Sequence, residues 1–156
     1  MAAIRSRDTG PERRVRSIVH ALGYRFRLYR RDLPGSPDLV FPRLRAVVFV
    51  HGCFWHAHRC RAGRKDPKTN AAFWKAKRTR NRERDRAVTR ALRRRGWLVL
   101  AVWECELRDA EALMRKLASW LSSASREHPR RPADPQASPR PAARTAPRRS
   151  ARATRR

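Results

Sequence analysis

Acidic residues are scarce in this sequence, with 13 Asp and Glu against 40 Lys and Arg, and the formal net charge is +27. A chain this basic needs a polyanionic partner, and nucleic acid is the commonest one. Arginine far outnumbers lysine, as a genome rich in G and C would produce, but that bias does not explain the scarcity of acid. The composition therefore favours a nucleic-acid-binding protein.

Long apolar runs are also missing. The sequence contains no stretch of roughly 18 apolar residues, which a transmembrane helix would need, and Met1 to Asp8 lacks the apolar segment of a signal peptide. We therefore expect a cytoplasmic protein that associates with the nucleoid when it acts and has no membrane partner.

Cysteines are few, and their number is odd, so they cannot all pair within the chain. In a reducing compartment their spacing favours a metal site over a disulfide. Cys53, His58 and Cys60 lie close in sequence, and Cys105 follows a predicted strand. Zinc prefers such a set of three thiolates and one imidazole, and four protein ligands indicate a structural ion. Three buried, unreactive thiols are the alternative.

The apolar spacing predicts an α/β domain with a mixed central sheet flanked by helices. A first helix opens at Pro11 and ends at Gly23, a long helix covers about 70–95, and a last helix, capped by Asp109, runs to about Ser122. Four strands are predicted, giving the order α-β-β-β-α-β-α: Tyr24 to Leu28, Asp38 to Phe41, Arg45 to Val50 and Trp97 to Trp103.

A change of composition predicts the domain boundary. Residues 1–122 form one domain, in which 1–10 are an N-terminal arm, whereas 123–156 contain six of the eleven prolines and ten arginines. This tail has too little apolar surface to offset the entropy of ordering, so it is predicted to be disordered. It either contacts phosphates without sequence preference or is dispensable.

Two histidines remain in the cysteine-rich loop once His58 is assigned to zinc. His51 and His56 suit general acid or base chemistry near neutral pH, and the alternative is solvated loop residues. Four aromatic residues in or beside this loop would stack on bases or wedge between base steps, unless they belong to the core: Phe54, Trp55, Phe73 and Trp74.

Three carboxylates occupy positions that suggest a functional role, although each also has a structural explanation. Asp38 begins a strand beside the loop and is either a Mg²⁺ ligand or turn chemistry. Glu12 shares the apolar stripe of the first helix, or complements the helix dipole as a first-turn acid. Asp85 lies on the inner face of the long helix, where a buried carboxylate needs a partner. That partner is a histidine, as in hydrolytic triads, or an arginine.

Several stretches together resemble the very-short-patch-repair (Vsr) DNA mismatch endonucleases, over about residues 3–121. They are LPGSPD at 33–38, VFVHGCFWH at 48–56, FW at 73–74, Asn81, ERDR at 83–86, GW at 96–97 and VWEC at 102–105. The resemblance implies a restriction-endonuclease-like fold and Mg²⁺-dependent nicking of duplex DNA on the 5′ side of the T in a T·G mismatch. Such mismatches arise when 5-methylcytosine deaminates. We expect a monomer whose partners are mismatched duplex DNA and mismatch-repair proteins of the MutL type.

The resemblance also implies roles for individual residues. Asp38 matches the metal-binding aspartate, His56 the catalytic histidine backed by Asp85, His51 a second active-site histidine, and Glu12 the acid of the first helix. The structural zinc ligands correspond to Cys53, His58, Cys60 and Cys105, and the aromatics that wedge into DNA to Phe54, Trp55 and Trp74. Val50 stands where the family pattern has Thr, but its backbone carbonyl can still serve Mg²⁺.

Two other functions fit parts of the pattern. One is a nuclease of the same fold with another DNA substrate, and the other is a zinc-stabilised nucleic-acid-binding module without catalysis. The second leaves the carboxylates and the two spare histidines unexplained.

Overall fold

The computed structural model describes residues 8–65, 67 and 69–128, so the predictions for most of the N-terminal arm and for the tail from residue 129 lie outside the described residues. The elements in chain order are α1 (Gly10–Ala21), β1 (Leu39–Phe41), β2 (Ala46–His51), α2 (Ala71–Arg94), β3 (Leu98–Trp103) and α3 (Ala110–Glu127). Short 3₁₀ helices occupy Pro42–Leu44 and Glu104–Arg108.

Local residues set the helix ends, and two of them, Gly23 and Asp109, are those predicted from the sequence. The Thr9 hydroxyl accepts the N–H of Glu12 at the start of α1, and Asp109 accepts the N–H of Ala112 (2.9 Å) at the start of α3. Beyond the end of α1, Gly23 adopts φ +81° and donates its N–H to the His20 carbonyl (2.9 Å). Glycine takes this left-handed conformation without the penalty that a Cβ atom imposes.

The sheet has the order β1-β2-β3 and is mixed, which confirms the predicted architecture. β1 and β2 are antiparallel, with Val40 opposite Val47. β2 and β3 are parallel, with Val50 opposite Val102, and α2 supplies the crossover between them. Parallel neighbours end on the same edge of a sheet, so the ends of β2 and β3 bring their following loops together.

The apolar side chains sort onto the two faces of the sheet with the period-two alternation of strands. Leu39 and Phe41 point towards a core shared with α1 and α3. Val40 and Val47 point the other way, where Leu92 of α2 covers them. The domain therefore has three layers, with α1 and α3 on one face of the sheet and α2 on the other.

The predicted strand from Tyr24 to Leu28 is wrong. Only Arg27 pairs with β1, through two backbone hydrogen bonds to Val40 of 2.8 and 2.9 Å. Tyr24 and Phe26 instead pack against the larger core. Alternation of apolar residues predicts an extended segment that is buried on one side, but a strand also needs a partner of matching length, and β1 has only three residues.

The last helix extends beyond its predicted end at Ser122. α3 continues to Glu127 because its apolar positions keep the helical spacing, and Leu117, Leu121 and Ala124 are all fully buried. The first residues of the predicted tail are therefore helical, and the placement of the domain boundary stays a prediction.

The longest helix, α2, buries only one side. Val88 and Leu92 face the sheet, while ten of the other 22 positions carry Arg or Lys. Gly35 lies against this helix so closely that a Cβ atom would come within 2.5 Å of Val88 Cγ1. Over residues 8–65, 67 and 69–128, no helix has the length and apolar character needed to cross a membrane.

Candidate active site and metal centre

A cavity of about 470 Å³ opens where β2 ends, beside the first turn of α1 and the middle of α2. Its walls include all five residues predicted to be catalytic, which come from separate parts of the chain: Glu12, Asp38, His51, His56 and Asp85. Carboxylates and imidazoles that converge in one cleft are the groups that proton transfer and metal binding require.

His56 and Asp85 form a direct pair, with His56 Nδ1 and Asp85 Oδ2 2.5 Å apart. The inward carboxylate of α2 is thus matched with a histidine, while Arg84 lies farther away, 3.9 Å from the other Asp85 oxygen. Burial acts to raise the pKa of Asp85, but the hydrogen bond to His56 and the nearby imidazoles outweigh it and hold the pKa below its usual value. Asp85 is therefore ionised at neutral pH and orients the His56 ring.

His51 lies next to this pair, with its ring centroid 4.2 Å from that of His56. Burial, and then the neighbouring His56, lower the pKa of His51 to about 4. The ring is consequently neutral near pH 7, with one nitrogen able to donate a hydrogen bond and the other able to accept one.

Asp38 makes two hydrogen bonds to the backbone of β2, one through its carboxylate and one through its own N–H. Its carboxylate Oδ2 accepts the N–H of Val50 (2.7 Å), and its own N–H donates to the Val48 carbonyl (3.1 Å). Burial raises the pKa of Asp38 to about 6, although the Val50 N–H partly opposes this effect. An ionised carboxylate is therefore costly here without a cation, which fits a metal ligand better than ordinary turn chemistry.

Glu12 acts as a first-turn acid of α1 and also lines the cavity. Its carboxylate accepts the N–H of Asp8 (2.9 Å) and the hydroxyl of Thr9 (2.8 Å), so it closes the first turn of α1. It also pairs with Arg16 (3.0 Å), is 6% exposed, and lies on the cavity wall. Its negative charge contributes to the raised pKa of Asp38.

The four residues predicted to bind zinc come together at a second centre. The ligand atoms of Cys53, His58, Cys60 and Cys105 all lie within 4.8 Å of one another. His58 Nδ1 is 3.8 Å from the sulfur of Cys53 and 3.4 Å from that of Cys105. Ligands bound tetrahedrally at ~2.1–2.3 Å are separated by about 3.5–3.8 Å, so these spacings suit a single metal ion.

Neighbouring groups prepare this cluster for a cation. The Gly63 N–H, with His58, lowers the pKa of Cys60 to about 6, whereas burial raises the pKa of Cys53 to about 12. The backbone N–H of Cys105 points at the Cys53 sulfur (3.3 Å). A bound cation would stabilise both thiolates and replace the missing solvation of the buried one.

The aromatic residues form one surface cluster outside the two centres. Phe54 lies 5.3 Å from Trp55 and 5.5 Å from Trp74, measured between ring centroids, and Phe73 lies 5.4 Å from Trp74. Phe73 is 58% exposed. Asn81 of α2 donates to the Trp55 carbonyl (3.0 Å) and thereby fixes the loop that carries two of these rings.

Sequence reasoning missed several residues at these sites. Tyr29, Arg31 and Arg84 line the cavity that holds the predicted catalytic residues, and Trp103 stacks on His58 of the Cys/His cluster with ring centroids 4.3 Å apart. Arg84 could have been predicted to lie at the cavity, because it is adjacent in sequence to the candidate residue Asp85. Tyr29 and Arg31 precede the LPGSPD stretch in a segment whose path no local pattern reveals.

A mixed sheet flanked by helices, with carboxylates and histidines gathered beside the end of its central strand on a strongly basic chain, is an arrangement typical of restriction-endonuclease-like nucleases. Comparison with known proteins narrows this class. The sequence profile of the family described as DNA mismatch endonuclease Vsr matches residues 1–62.

Individual relatives extend the match over most of the described chain. The type II nicking enzyme V.XorIIP of Xanthomonas oryzae pv. oryzae is 52% identical over 121 residues, covering 78% of this chain and 88% of the relative. The DNA mismatch endonuclease Vsr of Escherichia coli K12 is 44% identical over 126 residues, covering 78% and 80%. The type II nicking enzyme V.NmeAIP of Neisseria meningitidis is 40% identical over 117 residues, covering 75% and 83%.

This chain belongs to the Vsr family of DNA mismatch endonucleases. It is accordingly a DNA endonuclease, a hydrolase of mismatch repair, which confirms the class of enzyme predicted from the sequence.

Proposed function

We propose that the protein nicks duplex DNA on the 5′ side of the T in a T·G mismatch, in a reaction that depends on Mg²⁺. The observation that carries this proposal is the convergence of Asp38 with the His56–Asp85 pair in one cavity. One carboxylate is thereby available for a cation and one imidazole for a proton, and both groups can accelerate hydrolysis of a phosphodiester.

Asp38 and the backbone carbonyl of Val50 would hold the Mg²⁺ ion. The two groups are neighbours because Asp38 accepts the N–H of Val50, and both offer the hard oxygen atoms that Mg²⁺ prefers. When bound, the ion would polarise the scissile phosphate and stabilise charge on the attacking and leaving oxygens. The raised pKa of Asp38 supports this assignment, since a cation would offset the cost of burying the carboxylate.

His56 would act as the general base. If Nδ1–H of the neutral ring donates to Asp85, then Nε2 is unprotonated and can accept a proton from the attacking water. The ionised Asp85 would then stabilise the imidazolium that forms. His51, neutral at physiological pH, would donate a hydrogen bond to the phosphate or leaving group.

Glu12 would act as a positioning residue in the same cavity. It holds the Arg16 guanidinium, which the carboxylate of Asp8 also binds. The arrangement fixes the first turn of α1 against the cavity and sets the local field around Asp38.

Zinc is the ion we assign to the cysteine centre. Three thiolates and one imidazole are a set that zinc prefers, and four protein ligands leave no open position for substrate. The ion would therefore be structural. It would fasten the loop that carries His56 to the residues that follow β3.

The aromatic surface cluster would make the contact that selects a mismatch. Phe54, Trp55 and Trp74 would enter the base stack, where unstacking costs a few kcal/mol per step and least where pairing is already poor. Selectivity would then arise partly from the deformability of the T·G step. The family resemblance extends the proposal to a cytoplasmic monomer that acts on nucleoid DNA alongside MutL-type proteins.

One assay tests the proposed reaction. The protein is incubated with Mg²⁺ and two duplexes of identical flanking sequence, one with a T·G mismatch and one with T·A, each labelled separately on either strand. We expect a single nick, 5′ to the T, in the mismatched duplex alone. Cleavage of both duplexes would indicate another DNA substrate, and binding without cleavage would contradict an enzymatic role.

A further inference from the structure

Five arginines surround a second cavity of about 620 Å³, beside α2 and the end of β3. Four of them follow one side of α2 at helical spacing, and the fifth projects from the zinc-site loop. All five are exposed. We call them the arginine face: Arg59, Arg82, Arg86, Arg90 and Arg93.

The arginine face has no structural partner to account for it. Over residues 8–65, 67 and 69–128, none of its side chains makes a hydrogen bond or an ion pair with another described residue. Arg78 of the same helix differs, since it donates to the carbonyls of Gly63 and Lys65. Asp85 supplies the cavity's one carboxylate among the described residues, and His56 already engages it.

Concentrated charge of one sign is unfavourable for the folded protein by itself. Guanidinium groups remain charged at all physiological pH values, and their mutual repulsion disfavours the compact state in which they are held together. A polyanion that binds across them removes this repulsion and gains charge-assisted hydrogen bonds. The arrangement is thus costly in the free protein and favourable in a complex.

The arginine face lies beside the proposed catalytic cavity. Its cavity shares His51, His56 and Asp85 with the catalytic cavity, so the two openings meet at the proposed general base. From Arg82 to Arg93 the helix rises about 16 Å, which corresponds to the axial length of roughly five base pairs of duplex DNA.

We propose that the arginine face binds backbone phosphates of duplex DNA on one side of the nicking site. This inference rests on the proposed function, because it takes DNA as the substrate held at His56, and it adds a contact surface to that function. Binding there would fix the direction in which the duplex leaves the catalytic cavity. It would contribute affinity without reading bases, since phosphate contacts carry no sequence information.

The test compares two double variants that remove equal charge from the same helix. Arg86→Gln/Arg90→Gln alters the arginine face, and Arg80→Gln/Arg94→Gln alters exposed positions that line neither cavity. The dissociation constant is measured by fluorescence anisotropy on T·G and matched T·A duplexes between about 50 and about 300 mM salt. Each lost phosphate contact lowers the slope of log affinity against log salt by ~0.9.

We expect the arginine-face variant to lose about 2 units of this slope on both duplexes, and the control variant to stay within about 0.5 unit of the unchanged protein. Equal losses in the two variants would overturn the proposal, because net charge alone would then explain them. No loss in either would overturn it as well and would favour an acidic protein as the partner of these arginines.

Two further readouts separate phosphate binding from a structural role. Without DNA and at low salt, the thermal midpoint of the arginine-face variant should rise, whereas loss of a structural contact would lower it. Shortening the duplex to about four base pairs on one side of the mismatch should remove the affinity difference between variant and unchanged protein, and shortening the other side should not. A difference that survives both truncations would contradict the proposal.

Because these are binding measurements, they do not depend on nicking. If the T·G nick is absent but the salt slopes differ as expected, the proposed reaction fails and the arginine face stands. If the nick is present and the salt slopes of the two variants are equal, the proposed reaction stands and the role of the arginine face fails.

Discussion

At the scale of single residues, His56 combines two constraints that make it sensitive to substitution. Asp85 holds it through Nδ1, and the ring centroid of His51 lies 4.2 Å from its own. A general base contributes about 10²- to 10⁴-fold to the rate. His56→Ala should therefore lower single-turnover nicking of a T·G duplex by about 100-fold or more, with the dissociation constant for DNA nearly unchanged.

The matched control for this substitution is His20→Ala, since His20 is an exposed histidine of α1 that contacts neither centre. It should leave nicking unchanged. Retention of nicking in His56→Ala would remove this residue from the mechanism.

Asp38 illustrates a conflict between function and stability at one side chain. The folded pKa of about 6 lies above the model-peptide value of 3.8, so the ionised form costs stability above pH 6, and the cost disappears as the pH falls to about 4. Asp38→Asn keeps an acceptor for the Val50 N–H and removes the charge. It should abolish Mg²⁺-dependent nicking yet raise the free energy of unfolding by about 2 kcal/mol near pH 7.5 in Mg²⁺-free buffer.

Urea denaturation without chelator measures this gain, and the same experiment near pH 5 should show a smaller one. Asp32→Asn serves as the control, because Asp32 is an exposed acid paired with Arg30. Full Mg²⁺-dependent activity in Asp38→Asn would place the cation elsewhere.

At the scale of elements, the loop between β2 and α2 depends on a contact that is distant in sequence. It carries Cys53, His56 and Cys60, while Cys105 belongs to the 3₁₀ helix after β3. Because β2 and β3 are parallel, their ends coincide and the cluster can close. The metal centre therefore joins the loop that bears the proposed general base to the edge of the sheet.

Cys105→Ser should consequently impair both the metal and the chemistry. We expect zinc content, measured by plasma mass spectrometry, to fall from about one ion per chain to well below one, with slower nicking and faster proteolysis within residues 52–65. Arg108→Gln, an exposed change in the same 3₁₀ helix, is the control. A Cys105→Ser protein that keeps its zinc and its thermal midpoint would contradict the assignment.

At the scale of the whole molecule, the net charge of +27 lowers the stability of the free protein but stabilises its complex with DNA. Self-repulsion disfavours the compact state, and salt screens it within about 10 Å at 0.1 M. Raising sodium chloride from about 50 to about 300 mM should raise the thermal midpoint of the free protein by about 3 °C or more.

The same salt change should lower the midpoint of the complex with duplex DNA, because bound ligand stabilises the fold and salt releases it. Both titrations can be run by differential scanning calorimetry on the full chain. A midpoint of the free protein that is independent of salt would show that its charges are already well separated or paired.

Much of this protein is determined by local sequence. Thr9, Gly23 and Asp109 set helix ends through interactions within a few residues, and the apolar run before His51 predicts a buried strand because such side chains are costly to leave in water. The residue types of the Cys₃His set indicate zinc from the sequence alone. Local patterns do not report pairing, which is why the segment from Tyr24 to Leu28 was wrongly predicted to be a strand.

Only the tertiary structure decided which partner each polar side chain found. Asp85 could pair with a histidine or with an arginine, and the packing of α2 across the end of β2 placed it against His56, 29 residues away in sequence. Glu12 and Asp38 share a cavity, and the arginine face lies beside it. These arrangements depend on contacts between distant segments, whereas helix caps, strand alternation and ligand chemistry are properties of neighbouring residues.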